Sequence, residues 1–530
     1  MASPGASSLS SEIVVWRFAG AATWHAALFC VVCPLWATLA PMGAGTMVQR
    51  LCALWFTLSG ITGTLFLAAL QLLVLYTHLL NLSPCEAAPL HVPSLGLHSS
   101  SWPSALLSRV LLRGRSLQDL THTAALLAAT SFTAATTIYT VPSLHGTRVP
   151  TSLAFSSSYG LCLGCTYTLM HLSRCCNVLA YPTIHRHRAY QLRQRLPGCL
   201  LAGARVALTA LLVALALGHR CPGGVAGLVT HWAAAALAAA GWLLGSAALE
   251  VVMTEPLRLE RGAAWREPAS ACMELLAGGQ GCMQELALQE LCALAEGQTP
   301  SAFSARAAVF ADDTGRTGWS PMAGFLLAEA RDWAVAASAA AAPPSTVAPT
   351  TGRAPPRQWN AVPLSGALGL RSVSRAADLA AWTVRAKYQR LAFCVRALSA
   401  LAAASRGQDR YGVVLMADPV LGDVVVGLLA VVIAAQQYAK AATLQASRPS
   451  ALGSALRRLV ELAGQPAHVS LQQGDGCAAA VEDLTRGCAT RLVLAFGPSL
   501  RTALKTAKLK PAAGTSTELT ALLSSLLAFE

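Results

Sequence analysis

Side chains able to do chemistry are thinly spread through these 530 residues, of which 12% are charged. His185 and His187 stand one residue apart, near Tyr181 and Tyr190. No carboxylate lies close to them in sequence, so they read as surface histidines rather than metal ligands. Asp312 with Asp313, and Glu255 with Glu260, read as isolated surface carboxylates. Cys30 and Cys33, like Cys162 and Cys165, have C-x-x-C spacing. A zinc ribbon needs two such pairs on polar loops, whereas both of these fall in apolar segments, where small polarizable residues suit a helix interface. The chain has no GxxxxGKS/T phosphate loop, no GxGxxG after a strand, no HExxH and no GxSxG. Neither an enzyme nor a cofactor or metal is expected.

Positive charge is the stronger signal. The formal net charge is +14. Arg186, Arg188, Arg193 and Arg195 crowd the stretch Tyr181–Pro197 (YPTIHRHRAYQLRQRLP), and Arg109, Arg113 and Arg115 form a second group. Basic clusters attract anionic lipid headgroups, acidic proteins or nucleic acid. No RNA- or DNA-binding signature accompanies them, so membrane lipids and partner proteins are expected and direct nucleic-acid contact is not.

The elements that carry these clusters are apolar. The chain is 54% hydrophobic, and its charge density is about half the roughly 25% of soluble globular chains. Six segments approach the length of about 20 apolar residues that a bilayer demands. They are Gly20–Pro41, Leu51–Leu80, His122–Val141, Thr151–Leu179, Cys199–Leu217 and Val225–Val252. The third is diluted by threonines, which can return their hydroxyls to the helix backbone. The only ionisable residues well inside these segments are His25, His171 and His231, with no Asp or Glu deep in a span. Transporters place paired carboxylates and broken helices there, so the spans read as an anchor. Seven arginines lie in the loops after the second and fourth spans, against Arg50, Arg148 and Arg220, one in each of the other three loops. Basic loops stay cytosolic, so both termini and both arginine-rich loops are expected on the cytosolic side. The Asn81-Leu-Ser83 glycosylation acceptor would then go unused. Residues 102–120, with leucines interleaved among arginines, suit either an interfacial helix or a connecting helix packed on the soluble domain.

After Glu255-Pro256 the pattern turns amphipathic. The expected organisation is an N-terminal segment (1–19), a six-helix transmembrane domain (20–252), a helical start of the soluble domain (253–341), a Pro/Ala/Thr linker (342–364) and a C-terminal helical domain (365–530). The fold class is thus all-α: a polytopic membrane protein with six transmembrane helices, then a soluble helical domain. A stripe of Val384, Tyr388, Leu391, Val395 and Leu398 predicts one long helix over 374–405, and helices are also expected over 449–464 and 498–510. Val424–Ala435 is an unbroken apolar run of 12 residues, shorter than a span needs, and is expected to be a core helix.

Several stretches together resemble the nuclear division cycle protein one family of integral-membrane nucleoporins. Trp16–Trp36 (WRFAGAATWHAALFCVVCPLW) is similar to the family's opening Trp-Arg and first span. Gly164–Leu196 resembles its fourth span and the basic loop that follows. LALQEL (Leu286–Leu291) matches a helix after the last span, with Glu290 where Asp is usual. DRYGVV (Asp409–Val414), SLRTALK (Ser499–Lys505) and the terminal LLSSLLAFE resemble the C-terminal helices. The linker is shorter than in the animal pattern. The resemblance implies a structural, non-enzymatic role at the nuclear envelope: anchoring the pore scaffold in the pore membrane and supporting pore assembly. It implies inner-ring scaffold nucleoporins and other pore-membrane proteins as partners, and self-association within the pore ring. It places candidate scaffold contacts at Leu286, Gln289, Leu291, Tyr411, Arg501 and Lys505. The alternative is a polytopic endomembrane enzyme or transporter.

Overall fold

The computed structural model describes residues 4–39, 58–83, 117–144, 152–173, 176–179, 181–182, 186–257, 268–278, 281–311, 318–341, 380, 383–416, 419–446, 474–497, 499–500, 504 and 513–528. Among these residues the chain is all-α, with one isolated bridge between Ser83 and Val178 in place of any strand. The membrane half comprises α1 (Pro4–Leu39), α2 (Leu58–Asn81), α3 (Leu117–Leu144), α4 (Leu153–Ser173), α5 (Arg188–Ala216) and α6 (Gly224–Met253). The C-terminal half comprises α7 (Pro268–Ala277), α8 (Gly281–Glu296), α9 (Pro300–Ala311), α10 (Trp319–Ala341), α11 (Tyr388–Gln408), α12 (Val413–Met416), α13 (Leu421–Ala446), α14 (Gly474–Phe496) and α15 (Ser516–Leu527). The expected linker, residues 102–116 and the helix expected over 449–464 lie outside the described residues, as does nearly all of the helix expected over 498–510.

Helix α6 is the axis of the bundle, touching α1, α2, α3, α4 and α5. Its alanines 233–236 and 238–240 are all buried, and such small side chains let neighbouring backbones approach closely. Glycine does the same elsewhere: a Cβ on Gly203 would stand 2.6 Å from the Ala240 nitrogen, and one on Gly160 would stand 2.5 Å from the Ala135 nitrogen. The threonines of α3 behave as their chemistry predicts. Thr130 donates to the Leu126 carbonyl at 2.8 Å, Thr136 to Phe132 at 2.8 Å and Thr137 to Thr133 at 2.7 Å. Each hydroxyl is satisfied within its own helix, which makes the segment tolerable in hydrocarbon. Leu65, Phe66, Leu73, Phe132, Leu208 and Leu212 are exposed on the outside of the bundle, as a lipid-facing surface requires.

Six described helices are long and apolar enough to cross a membrane, within α1, α2, α3, α5, α6 and α13. Composition alone therefore exchanges the expected fourth span for α13. The two helices differ in what they pack against. Helix α4 lies against α3 and α5 and exposes Leu153, Leu161 and Leu169 on its outer face. Helix α13 is enclosed by α10, α11, α14 and α15, and Val424, Val425, Leu428, Leu429, Val431 and Val432 are buried there. Burial alone does not separate α13 from the spans, since α6 is almost as enclosed; what sets α13 apart is that its neighbours are helices of the C-terminal half. Val424–Ala435 packs among the C-terminal helices, as expected of a core helix, yet by length and composition the helix that carries it also qualifies as a candidate span. The helix runs 26 residues, because Gln436 and Gln437 do not end it.

The two stretches flanking the linker build one core. Helix α11 inserts between α8, α9, α10 and α14, burying Val384, Leu391, Val395 and Leu398 of the predicted stripe. The long helix itself begins at Tyr388, later than the periodicity suggested, after a helical turn over 383–386. Trp333 Nε1 donates to the Val384 carbonyl at 3.0 Å, and Trp319 Nε1 to the Pro419 carbonyl at 3.1 Å. Arg306, 3% exposed, donates to the carbonyls of Leu294 (2.8 Å) and Gly297 (2.6 Å), closing the end of α8 with a cation.

Candidate functional site

The basic stretch is where the two halves meet, and most of it is helix rather than loop. Helix α5 starts at Arg188, with His187 as its N-cap, and passes through Pro197. Helical spacing sorts its arginines. Positions 188, 192 and 195 follow the i, i+4, i+7 pattern and share one face. Leu192 on that face is buried against Ala248 and Val251 of α6. Arg195 grips Glu250 with two hydrogen bonds, at 2.6 and 3.1 Å, and Arg188 is ion-paired with Glu255. Arg193 points away and is exposed. Glu255 is therefore no isolated surface carboxylate, contrary to expectation. Two of the four arginines are neutralised by the end of α6.

Arg17 of α1 completes the junction. Its guanidinium donates to the carbonyls of Val252 (3.0 Å), Met253 (2.8 Å) and Glu255 (2.5 Å). A cation on the unpaired carbonyls of a helix C-terminus is a favourable placement. Residues 1–19, expected as a separate segment, are helical from Pro4 onward and belong to the bundle through this contact.

Just before α5, the chain is seated in the C-terminal domain. Tyr181 is buried, and its hydroxyl donates to the Cys282 carbonyl at 3.2 Å. Its backbone N–H donates to Gln389 Oε1 at 3.4 Å, and its carbonyl accepts from Gln389 Nε2. Gln289 Nε2 donates to the Pro182 carbonyl at 3.4 Å. Burial pushes the Tyr181 phenol above its ordinary pKa. A second strap lies alongside, where Ser83 N–H donates to the Asn177 carbonyl at 2.9 Å and Leu179 N–H to the Ser83 carbonyl at 3.0 Å. Tyr181, Leu179, Leu249, Val252 and Met253 share one apolar cluster with α7, α8, α10 and α11. Beneath it, Arg390 of α11 bridges Glu329 (2.9 Å) and Glu285 (3.4 Å). Burial raises the Glu285 carboxyl to about 7, against the lowering effect of Arg390.

Beside the junction lies a cleft of about 490 Å³, with Trp24 and Val251 on one wall and Arg186, His187, Arg188 and Gln191 on the other. Within the bundle, His78 Nε2 meets the Tyr167 hydroxyl at 2.8 Å, and the His78 and His171 ring centroids are 4.9 Å apart. His25 is buried nearby, and neither of its ring nitrogens has a partner among the described residues. Among the described residues no group of three or more His, Cys, Asp or Glu side chains is placed to hold a metal ion.

The sequence-derived site residues divide sharply. Arg109, Arg113, Arg115, Arg501, Lys505, His185, Glu260, Asp312 and Asp313 lie outside the described residues. Leu286, Gln289 and Leu291, expected to face a partner, are buried, each at most 5% exposed. They pack inside their own domain, and Gln289 serves the Tyr181–Pro182 seat, so none presents a surface to another protein. Tyr411 is 72% exposed beside Leu415 and Met416, at a turn held by Asp409, whose carboxylate accepts from the Tyr411 and Val414 N–H groups. The contacts made by Gln389, Glu250, Glu255 and Arg17 escaped sequence reasoning. For the two glutamates a signal existed: arginines seven apart on one helical face ask for carboxylates on the neighbouring helix. No protein-family model matches the chain, and no curated protein matches it significantly.

Proposed function

We propose that this chain is a structural anchor of the nuclear pore membrane, a nucleoporin of the nuclear division cycle protein one type, fastening the pore scaffold to the lipid bilayer and supporting pore assembly. The observation that carries it is the apolar cluster continuous from the ends of α2 and α6 through Tyr181 into α7, α8 and α11. An anchor must transmit load between membrane and scaffold, and a continuous core with Arg17, Arg188 and Arg195 as straps does so without a hinge. The termini and the arginine-rich face would lie on the cytosolic and pore side, where basic residues meet anionic headgroups. The role is that of scaffold, serving protein and mRNA transport without carrying cargo. Exposed Tyr411, Leu415 and Met416 offer a surface to scaffold proteins, and self-association within the ring would use other faces.

Proximity labelling from a C-terminal tag, with imaging, tests this. Punctate nuclear-rim signal with neighbouring scaffold nucleoporins is expected; a uniform endoplasmic reticulum signal without them would overturn it. A glycan on Asn81 would overturn the orientation. One observation favours a transporter or enzyme instead: the buried His25, His78, His171 and Tyr167 group inside the bundle. Stoichiometric binding of a small substrate, abolished by His78→Leu, would establish that alternative.

A further inference from the structure

The cleft beside α5 has two unlike walls. Trp24 and Val251 are its apolar lining; on α1, Trp24, Leu28 and Val31 stand at i, i+4 and i+7, and Leu28 packs beside Val251. Trp24 and Val31 are 41% and 48% exposed. The other wall is cationic. Arg186 makes no ion pair among the described residues; its guanidinium lies 5.4 Å over the Tyr190 ring, and its carbonyl is held by Gln191 Nε2 at 2.8 Å. His187 Nδ1 accepts from the Ala189 N–H at 3.4 Å, which leaves Nε2 as the donor of the neutral ring. The N-terminus of the 29-residue α5 adds its own positive end. Among the described residues lining the cleft the one carboxylate, Glu255, is already engaged by Arg188.

We propose that this cleft binds one anionic glycerophospholipid, its phosphate on Arg186, His187 and the head of α5, and an acyl chain along Trp24, Leu28 and Val31. A free anion would need only the cationic wall; the apolar stripe leading from it into the bundle's outer face fits an acyl tail. The proposal is independent of the pore reading, because an anchor, a transporter or an enzyme could each hold such a lipid.

The test uses the full chain in phosphatidylcholine nanodiscs and short-chain phosphatidylinositol 4-phosphate as probe, with inorganic phosphate as competitor. Saturable binding at one lipid per chain is expected. Arg186→Gln should weaken it about tenfold, the worth of one charge-assisted phosphate contact. Arg193→Gln, an exposed cation nearby on α5 but outside the cleft, should change it less than about twofold. Glu255→Gln should strengthen binding by releasing Arg188. Equal losses from Arg186→Gln and Arg193→Gln would reduce the effect to diffuse surface charge and overturn the site. Inorganic phosphate binding as tightly as the lipid would overturn the lipid assignment. Should Arg186→Gln fail to fold, Glu255→Gln decides alone: unchanged or weaker binding overturns the proposal.

Discussion

The side-chain amide of Gln389 is bonded in both directions to the backbone of Tyr181, 208 residues earlier in the chain: Nε2 donates to the carbonyl, and Oε1 accepts the N–H. One side chain of α11 thus satisfies both polar backbone groups of the residue that leads into α5. Gln389→Leu should leave both unpaired at a buried seat, at a cost of about 1–3 kcal/mol. The expected readout is faster amide exchange over 176–192, together with a lowered thermal midpoint. Exchange unchanged there would mean that the apolar cluster alone holds the seat.

The four arginines of Tyr181–Pro197 should not behave alike. Arg195 and Glu250 are each about 30% exposed at the side chain, and a double-mutant cycle with Arg195→Gln and Glu250→Gln should give a coupling of about 1 kcal/mol at most. Arg193→Gln should leave the thermal midpoint where it was. A stability loss for Arg193→Gln as large as that for Arg195→Gln would contradict the sorting of faces.

Gly164 and Gly198 should respond oppositely to alanine. A Cβ on Gly164 would meet Ser131 Oγ at 2.2 Å and the Ser131 nitrogen at 2.7 Å, so α3 and α4 must part. That overpacking should cost about 1–3 kcal/mol. Gly198 in α5 has nothing within 4 Å of such a Cβ, and Gly198→Ala should gain about 0.5–1 kcal/mol from helix propensity. Thermal unfolding in one detergent compares the two directly.

Glu285 should make stability fall as pH rises. Its carboxyl is held at about 7 in the folded chain against an ordinary value of 4.5, so folding takes up a proton between those limits. The stabilisation is full below about 4.5 and is lost as pH climbs through about 7, a swing on the order of 1–3 kcal/mol. The difference in thermal midpoint between the parent and Glu285→Gln, measured from pH 5 to pH 8, isolates this group. A difference that stays constant with pH would contradict the raised value.

The primary structure by itself determined the all-α class, the approximate positions of α1 to α6, the backbone-directed threonines of α3 and the stripe of α11. Each is a periodic or compositional property, because helix geometry repeats every 3.6 residues and a bilayer sets a minimum apolar length. Only the tertiary structure decided which apolar helices face lipid, since α4 and α13 differ in what surrounds them more than in what they contain. It alone placed Gln389 on Tyr181 and Arg17 on Val252, contacts between residues more than 200 positions apart that no local pattern encodes. The basic stretch shows the division most plainly. Its charge was legible as a cluster of four, but which arginines are spent on Glu250 and Glu255 and which face the cleft depends on the side of α5 that packs on α6. Burial of Leu192 fixes that side.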